Sequence, residues 1–167
     1  GIARDNLEDI KSKIIEGLQS SDVVLVSGGI SVGAKDLVSE VVSNLGKPGV
    51  IVHGISMRPG MPTALAALND KPLILSPGNP VAALISFNVF VKPTVAEMLG
   101  TPAGYIKGQV IKAKVTRKVA SVTGLRTFLR VVIRRADDGY VAEPIRIAGS
   151  GIISSLVKAN GIVVIPE

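Results

Sequence analysis

The 167-residue chain has no cysteine and no tryptophan, and only one histidine, three phenylalanines and two tyrosines. Without cysteine there is no disulfide framework, no thiolate metal site and no thiol nucleophile. An aromatic content of 3% leaves too few platforms for single-stranded nucleic-acid binding by base stacking. Long apolar runs are also missing, although the mean hydropathy is +0.45. The richest stretch, residues 81–91, is broken by Ser86 and Asn88 and falls short of the ~18 residues a membrane-spanning helix needs. No basic and then apolar leader follows Gly1, so a cytoplasmic protein with no membrane partner is expected. What the chain does have is a 47% apolar fraction, which excludes disorder.

The net charge of +6 is unevenly placed. Residues 1–100 carry 8 Lys/Arg and 9 Asp/Glu, whereas residues 101–167 carry 11 and 4. Such asymmetry points to two folding units. The turn-rich segment from Gly100 to Gly104 marks the expected boundary, giving an α/β domain over 1–100 and a β domain over 101–167.

Hydrophobic spacing supplies the elements. Leu7, Ile10, Ile14 and Leu18 form a helical face behind a capping box at Asp5-Asn6-Leu7-Glu8. The apolar run 22–27 reads as a strand covered on both faces. Asp36 opens a second helix that Gly46 ends, and a strand follows at 50–52. Residues 63–68 and 72–75 read as a hairpin turning at Asn69-Asp70-Lys71, before a long helix that ends near Leu99. Alternating strands and helices predict a mostly parallel sheet between helix layers. The first helix has no strand before it, so the sheet's first strand is expected upstream of Gly1. From 106 onward the period becomes two, around a turn at Asp137-Asp138-Gly139, which predicts a small antiparallel, barrel-like sheet that ends without obvious closure.

Ligands of open α/β sheets sit beyond the carboxyl ends of strands, and two loops leave strands there. Gly28-Gly29-Ile30-Ser31-Val32-Gly33 would let backbone N–H groups approach an anion, or would simply make a tight strand-to-helix turn. In Ser76-Pro77-Gly78-Asn79-Pro80, Asn79 fits an N-cap and Pro80 the first helical position. That helix start either favours a phosphate or is an ordinary cap. Asp36 is a carboxylate for an oxyanion or metal region, or only a helix cap. Arg58, before a proline turn, is an oxyanion clamp or a surface arginine. The lone His53 is more in keeping with a structural role. No catalytic triad or metal-ligand spacing is visible.

Three motifs in order, Ser27 to Gly33 with Asp36, Arg58-Pro59-Gly60-x-Pro62, and Pro77-Gly78-Asn79-Pro80-Val81, resemble the molybdopterin molybdenumtransferase (molybdenum insertase) family, which includes the gephyrin E domain. Gly124-Leu125-Arg126-x-Phe128-x-Arg130, Gly149-Ser150 and Ala159-Asn160-Gly161 resemble its C-terminal β domain. The resemblance implies insertion of molybdate or tungstate into adenylylated molybdopterin, with release of AMP and help from Mg2+. It assigns Gly28, Gly29, Ser31 and Gly33 to the pterin or its phosphate, and Asp36 to the metal and the chemistry. Arg58 becomes a basic contact at the reacting anion. Pro77, Gly78, Asn79 and Pro80 shape the opposite wall, and Arg130 and Ser150 reach in from the β domain. A homodimer acting on a small anionic substrate is implied, with no nucleic-acid partner. Where the family commonly has lysine, this chain has Met61. The family's acidic Gly-Asp-Glu turn and two N-terminal domains would precede Gly1. The alternatives are a molybdopterin adenylyltransferase and a non-catalytic binding or scaffold fragment.

Overall fold

A computed structural model describes residues 1–30, 36–102, 108–145 and 153–167. Helix α1 (Leu7–Ser20) buries Ile10 and Ile14, and its cap is Asn6, whose side chain accepts from the Asp9 N–H. The capping box expected at Asp5–Glu8 does not form: Asp9 reaches back to the Arg4 N–H, while the N–H of the cap residue Asn6 donates to the Arg4 carbonyl. Strand β1 (Val24–Ser27) leads to the glycine loop. Helix α2 (Leu37–Leu45) turns Val38, Val41 and Val42 inward. Strand β2 (Pro48–His53) follows, then the short β3 (Met57–Arg58). Strands β4 (Ala64–Leu68) and β5 (Lys71–Ser76) form the expected hairpin. Its turn is made by Asn69 and Asp70, at φ +51° and +60°, the left-handed conformations that two-residue hairpin turns require.

The first sheet has the order β1-β5-β4-β2. Among the described residues β1 and β5 form its one parallel pairing; β5–β4 and β4–β2 are antiparallel. The α/β class holds, but the sheet is mixed rather than mostly parallel. The reason is local: a two-residue turn can only join antiparallel neighbours. Leu73 and Leu75 join Ala64, Ala66 and Leu68 under α1 and α2 in one core. Ile74 is equally buried and, by strand alternation, points to the other face. There α3 (Pro80–Ser86) and the segment after it pack on β5, which completes three layers.

Helix α3 continues through a π-helical stretch, Phe87–Val91, into α4 (Lys92–Met98). Pro93 has no N–H to offer and its ring crowds the carbonyl four residues back, so the wider π turn keeps the helix continuous. The joined helix, Pro80–Met98, has 19 residues and a mean hydropathy of 1.3, long and apolar enough by composition to cross a membrane. Residue-by-residue apolar runs do not reveal this, because helical continuity carries it past Ser86, Asn88 and Lys92. Its buried side chains Val81, Ala82, Ile85, Ser86 and Val91 nevertheless face protein.

The second sheet is built on β7 (Arg126–Ala136), antiparallel to β8 (Gly139–Pro144) and β9 (Gly161–Ile165). Two short strands join in parallel: β3 on β7, and β6 (Lys114–Val115) on β8. The expected antiparallel sheet is therefore mixed at its margins. One margin, β3, comes from the first hundred residues. Leu129, Val131 and Ala142 form its core. Helix α5 (Ser154–Lys158) precedes β9.

Candidate functional site

The sheet order places the carboxyl ends of β1, β5 and β2 and the amino end of β4 along one edge. Ser27 stands beside Ser76 and His53 beside Ala64. The two loops expected to carry chemistry meet there. The Gly28 N–H donates to the Ser76 carbonyl at 2.9 Å, and Ser27 Oγ donates to the Pro77 carbonyl at 3.4 Å. A Cβ on Gly78 would stand 3.3 Å from Gly28 Cα, and one on Gly29 only 2.7 Å from Val38 Cγ2. Gly28 and Gly29 have φ of +91° and +70°, which only glycine adopts at little cost. Glycine is thus required for the turn and for the closeness of the loops, whatever else the loop binds.

Asn79 caps α3 as expected, its Oδ1 accepting from the Val81 N–H at 3.3 Å, with Pro80 next. Asp36 caps α2 through Oδ1, which accepts from the Ser39 N–H at 2.9 Å. Its other oxygen, Oδ2, is buried and makes no hydrogen bond among the described residues. The Ser76 and Ser39 hydroxyls are in the same condition. Buried polar atoms without partners are uncommon in folded proteins and ask for an explanation. Here Ser76 lies at the edge where the two loops meet, and Asp36 lies beside His53 at the end of β2 on the same edge.

Arg58 lies on β3, opposite Thr127 of β7, and is exposed, while its neighbour Met57 is buried. The arginine therefore stands where the two sheets join. Arg130 is only 2% exposed. It lines a cleft of about 610 Å³ between α3–α4 and the second sheet, with Lys92, Asn88 and Asn160. Its Nε has no partner among the described residues, and burial alone holds the guanidinium below its ordinary pKa. The described lining of this cleft includes neither loop, nor Asp36, nor Arg58. A second cleft of about 560 Å³ runs along the unpaired edge of β1 to Gly28 and Gly29. Ser31, Gly33 and Ser150 lie outside the described residues.

By sequence His53 reads as structural, Ser76 and Asn160 stand only within the motifs that contain them, and Lys92 is given no part. His53 Nε2 is 3.4 Å from Asp36 Oδ2, a proximity that no spacing in the sequence signals. Lys92 was legible only as a charge within an apolar helix.

Fold and site together define an α/β domain whose two strand-end loops meet at one sheet edge, joined to a basic β-sheet unit. Residues 1–97 match the family described as "Probable molybdopterin binding domain", and residues 112–167 match "MoeA C-terminal region (domain IV)". A Methanocaldococcus jannaschii protein named provisionally for molybdopterin biosynthesis is 37% identical, over 99% of this chain and 37% of its own length. A Staphylococcus aureus molybdopterin molybdenumtransferase is 30% identical, over 98% of this chain and 38% of its own. A crystal structure of the molybdopterin biosynthesis MoeA protein from Pyrococcus horikoshii superimposes with a TM-score of 0.76 at 37% identity, covering 99% of this chain and 38% of that one. The chain belongs to the family described as probable molybdopterin binding domains, and its last part matches the MoeA C-terminal region. It spans less than two fifths of the length of these relatives.

Proposed function

We propose that this chain supplies ligand-binding surface to a molybdenum insertase, holding adenylylated molybdopterin while molybdate or tungstate joins its dithiolene and AMP departs. The observation that carries this reading is the junction of the two loops at Gly28 and Gly78, on the sheet edge that also carries Ser76 Oγ and Asp36 Oδ2, neither of them hydrogen-bonded among the described residues, in a chain of this family. Gly28 and Gly29 leave the loop backbone bare for a phosphate or pterin. Pro77, Gly78 and Asn79 form the facing wall. Arg58 offers a cation where the sheets join, and Arg130 with Lys92 offers charge for an oxyanion in the separate cleft between α3–α4 and the second sheet.

A divalent cation fits one feature of this edge, the buried Oδ2 of Asp36, which makes no hydrogen bond and has only the His53 ring, at 3.4 Å, as a polar neighbour among the described residues. Among the described residues no cluster of three metal-ligating side chains exists. A single carboxylate suits Mg2+, which completes its shell with water and substrate phosphate. When bound, it would neutralise phosphate charge. Asp36 would hold it from the α2 N-terminus, where the Ser39 N–H keeps the carboxylate in place.

Calorimetry on the full-length gene product tests this. Adenylylated molybdopterin should bind saturably with Mg2+, and Asp36→Asn should weaken binding by about 10- to 100-fold. No binding would overturn the reading. ATP-dependent adenylylation of molybdopterin without molybdate would favour the adenylyltransferase instead, although the match of 112–167 to a MoeA region speaks against it. The homodimer and the cytoplasmic setting belong to the same proposal, and sedimentation and cell fractionation test them.

A further inference from the structure

Strand β2 contains an irregularity that changes what its end can reach. Val50 pairs with Ala66, but the next pairs are Val52 with Leu65 and His53 with Ala64. Ile51 is therefore an extra residue, a β-bulge, and its side chain is 64% exposed. Directly opposed residues of an antiparallel pair share a face, and Ala64 and Ala66 both lie in the core beneath α1 and α2. Val50 and His53, three residues apart, are consequently on one face; in an unbulged strand they would be on opposite faces. The bulge aims His53 at the α2 side of the sheet. There its Nε2 lies 3.4 Å from Asp36 Oδ2, with the two side chains 29% and 17% exposed. Bulges that re-aim one side chain are a recurrent device beside functional sites.

Asp36 is thus divided between two tasks. Oδ1 is committed to the Ser39 N–H, while Oδ2 has no hydrogen bond and has the His53 ring as its polar neighbour. We infer that His53 is a positioning residue: it fixes the Asp36 carboxylate so that Oδ2 is presented to a bound cation. This rests on the reading of Asp36 given above. His53 itself touches no reacting atom in this scheme.

The test uses the full-length gene product with His53→Ala, His53→Gln, Asp36→Asn and the His53→Ala/Asp36→Asn double variant. Three-bond NMR couplings on labelled Asp36, without ligand, should report one χ1 rotamer in wild type and His53→Gln and an averaged one in His53→Ala. A single rotamer in His53→Ala would overturn the inference. Mn2+ binding, followed by electron paramagnetic resonance, should weaken about tenfold in His53→Ala, the scale of outer-shell effects on metal affinity. It should recover in His53→Gln, and in the Asp36→Asn background it should be indifferent to His53→Ala. Unchanged Mn2+ affinity in His53→Ala, or a loss that persists without the Asp36 carboxylate, would also overturn it. A wild type that binds no Mn2+ would count against Asp36 as a cation ligand, while the rotamer measurement would still decide whether His53 positions it.

Discussion

At the scale of single residues, the chain keeps groups that cost stability in the ligand-free state. Arg130 is buried with its Nε unpartnered, and burial lowers its pKa. A basic group whose folded pKa is lowered destabilises the fold at every pH where it is charged in both states, and relief begins only as pH rises through the folded value. Arg130→Met should therefore leave the ligand-free protein at least as stable as wild type, since replacing buried charge by apolar side chains of like volume is often neutral or stabilising. The same change should weaken molybdate binding. Urea unfolding and calorimetry read the two effects, and destabilisation would show that Arg130 has a structural task. Gly29 poses the opposite case. Gly29→Ala would force a methyl to 2.7 Å from Val38 Cγ2 at φ +70°, a strain of about 1–3 kcal/mol in unfolding experiments. An unchanged midpoint would mean that the loop yields.

At the scale of elements, β9 is held by more than its ladder. Asn160 Oδ1 accepts from the Ile133 N–H at 2.6 Å, and its Nδ2 donates to the Ile133 carbonyl at 2.9 Å. The side-chain amide stands in for one residue of strand. Asn160→Ala should cost about 2 kcal/mol, since two backbone groups lose their partners. Amide exchange should rise first in β9, and uniform loss of protection would argue against a local clamp. At the chain end, Arg126 donates twice to the Glu167 carboxylate, at 3.0 Å each, and this hydrogen-bonded pairing lowers the Glu167 pKa from its ordinary value near 4.5. A lowered acid contributes stability above its unfolded pKa and loses it as pH falls through the folded value. The difference in Tm between wild type and Glu167→Gln should be present at neutral pH and shrink below about pH 4.5. The pair is exposed, so its contribution is small.

At the scale of the whole molecule, the two sheets are joined by β3, which leaves the first hundred residues to pair with β7. A ligand held by the strand-end loops and by Arg58 would therefore engage both units. Saturation at 100 times Kd stabilises a one-site protein by about 2.7 kcal/mol. Scanning calorimetry should show that increment in the unfolding of both sheets; a shift confined to one would place the ligand wholly within it.

What the sequence determined alone follows from short-range physics. Helical spacing located α1 and α2, the Asn69-Asp70 turn located the hairpin, and caps such as Asp36 and Asn79 acted within a few residues of themselves. The order of glycine and proline motifs likewise sufficed to mark both loops and the family. The long helix expected to end near Leu99 is also found, with a π-helical stretch ahead of Pro93, whereas only the tertiary structure decided that the first sheet is mixed and that β3 belongs to the second sheet. Only it brought His53 to Asp36, because that proximity depends on one unpaired residue in an edge strand and on the packing of α2 above it. Pattern along a chain specifies which face is buried. Which two buried faces meet is settled by pairing across the sheet, which no local period records.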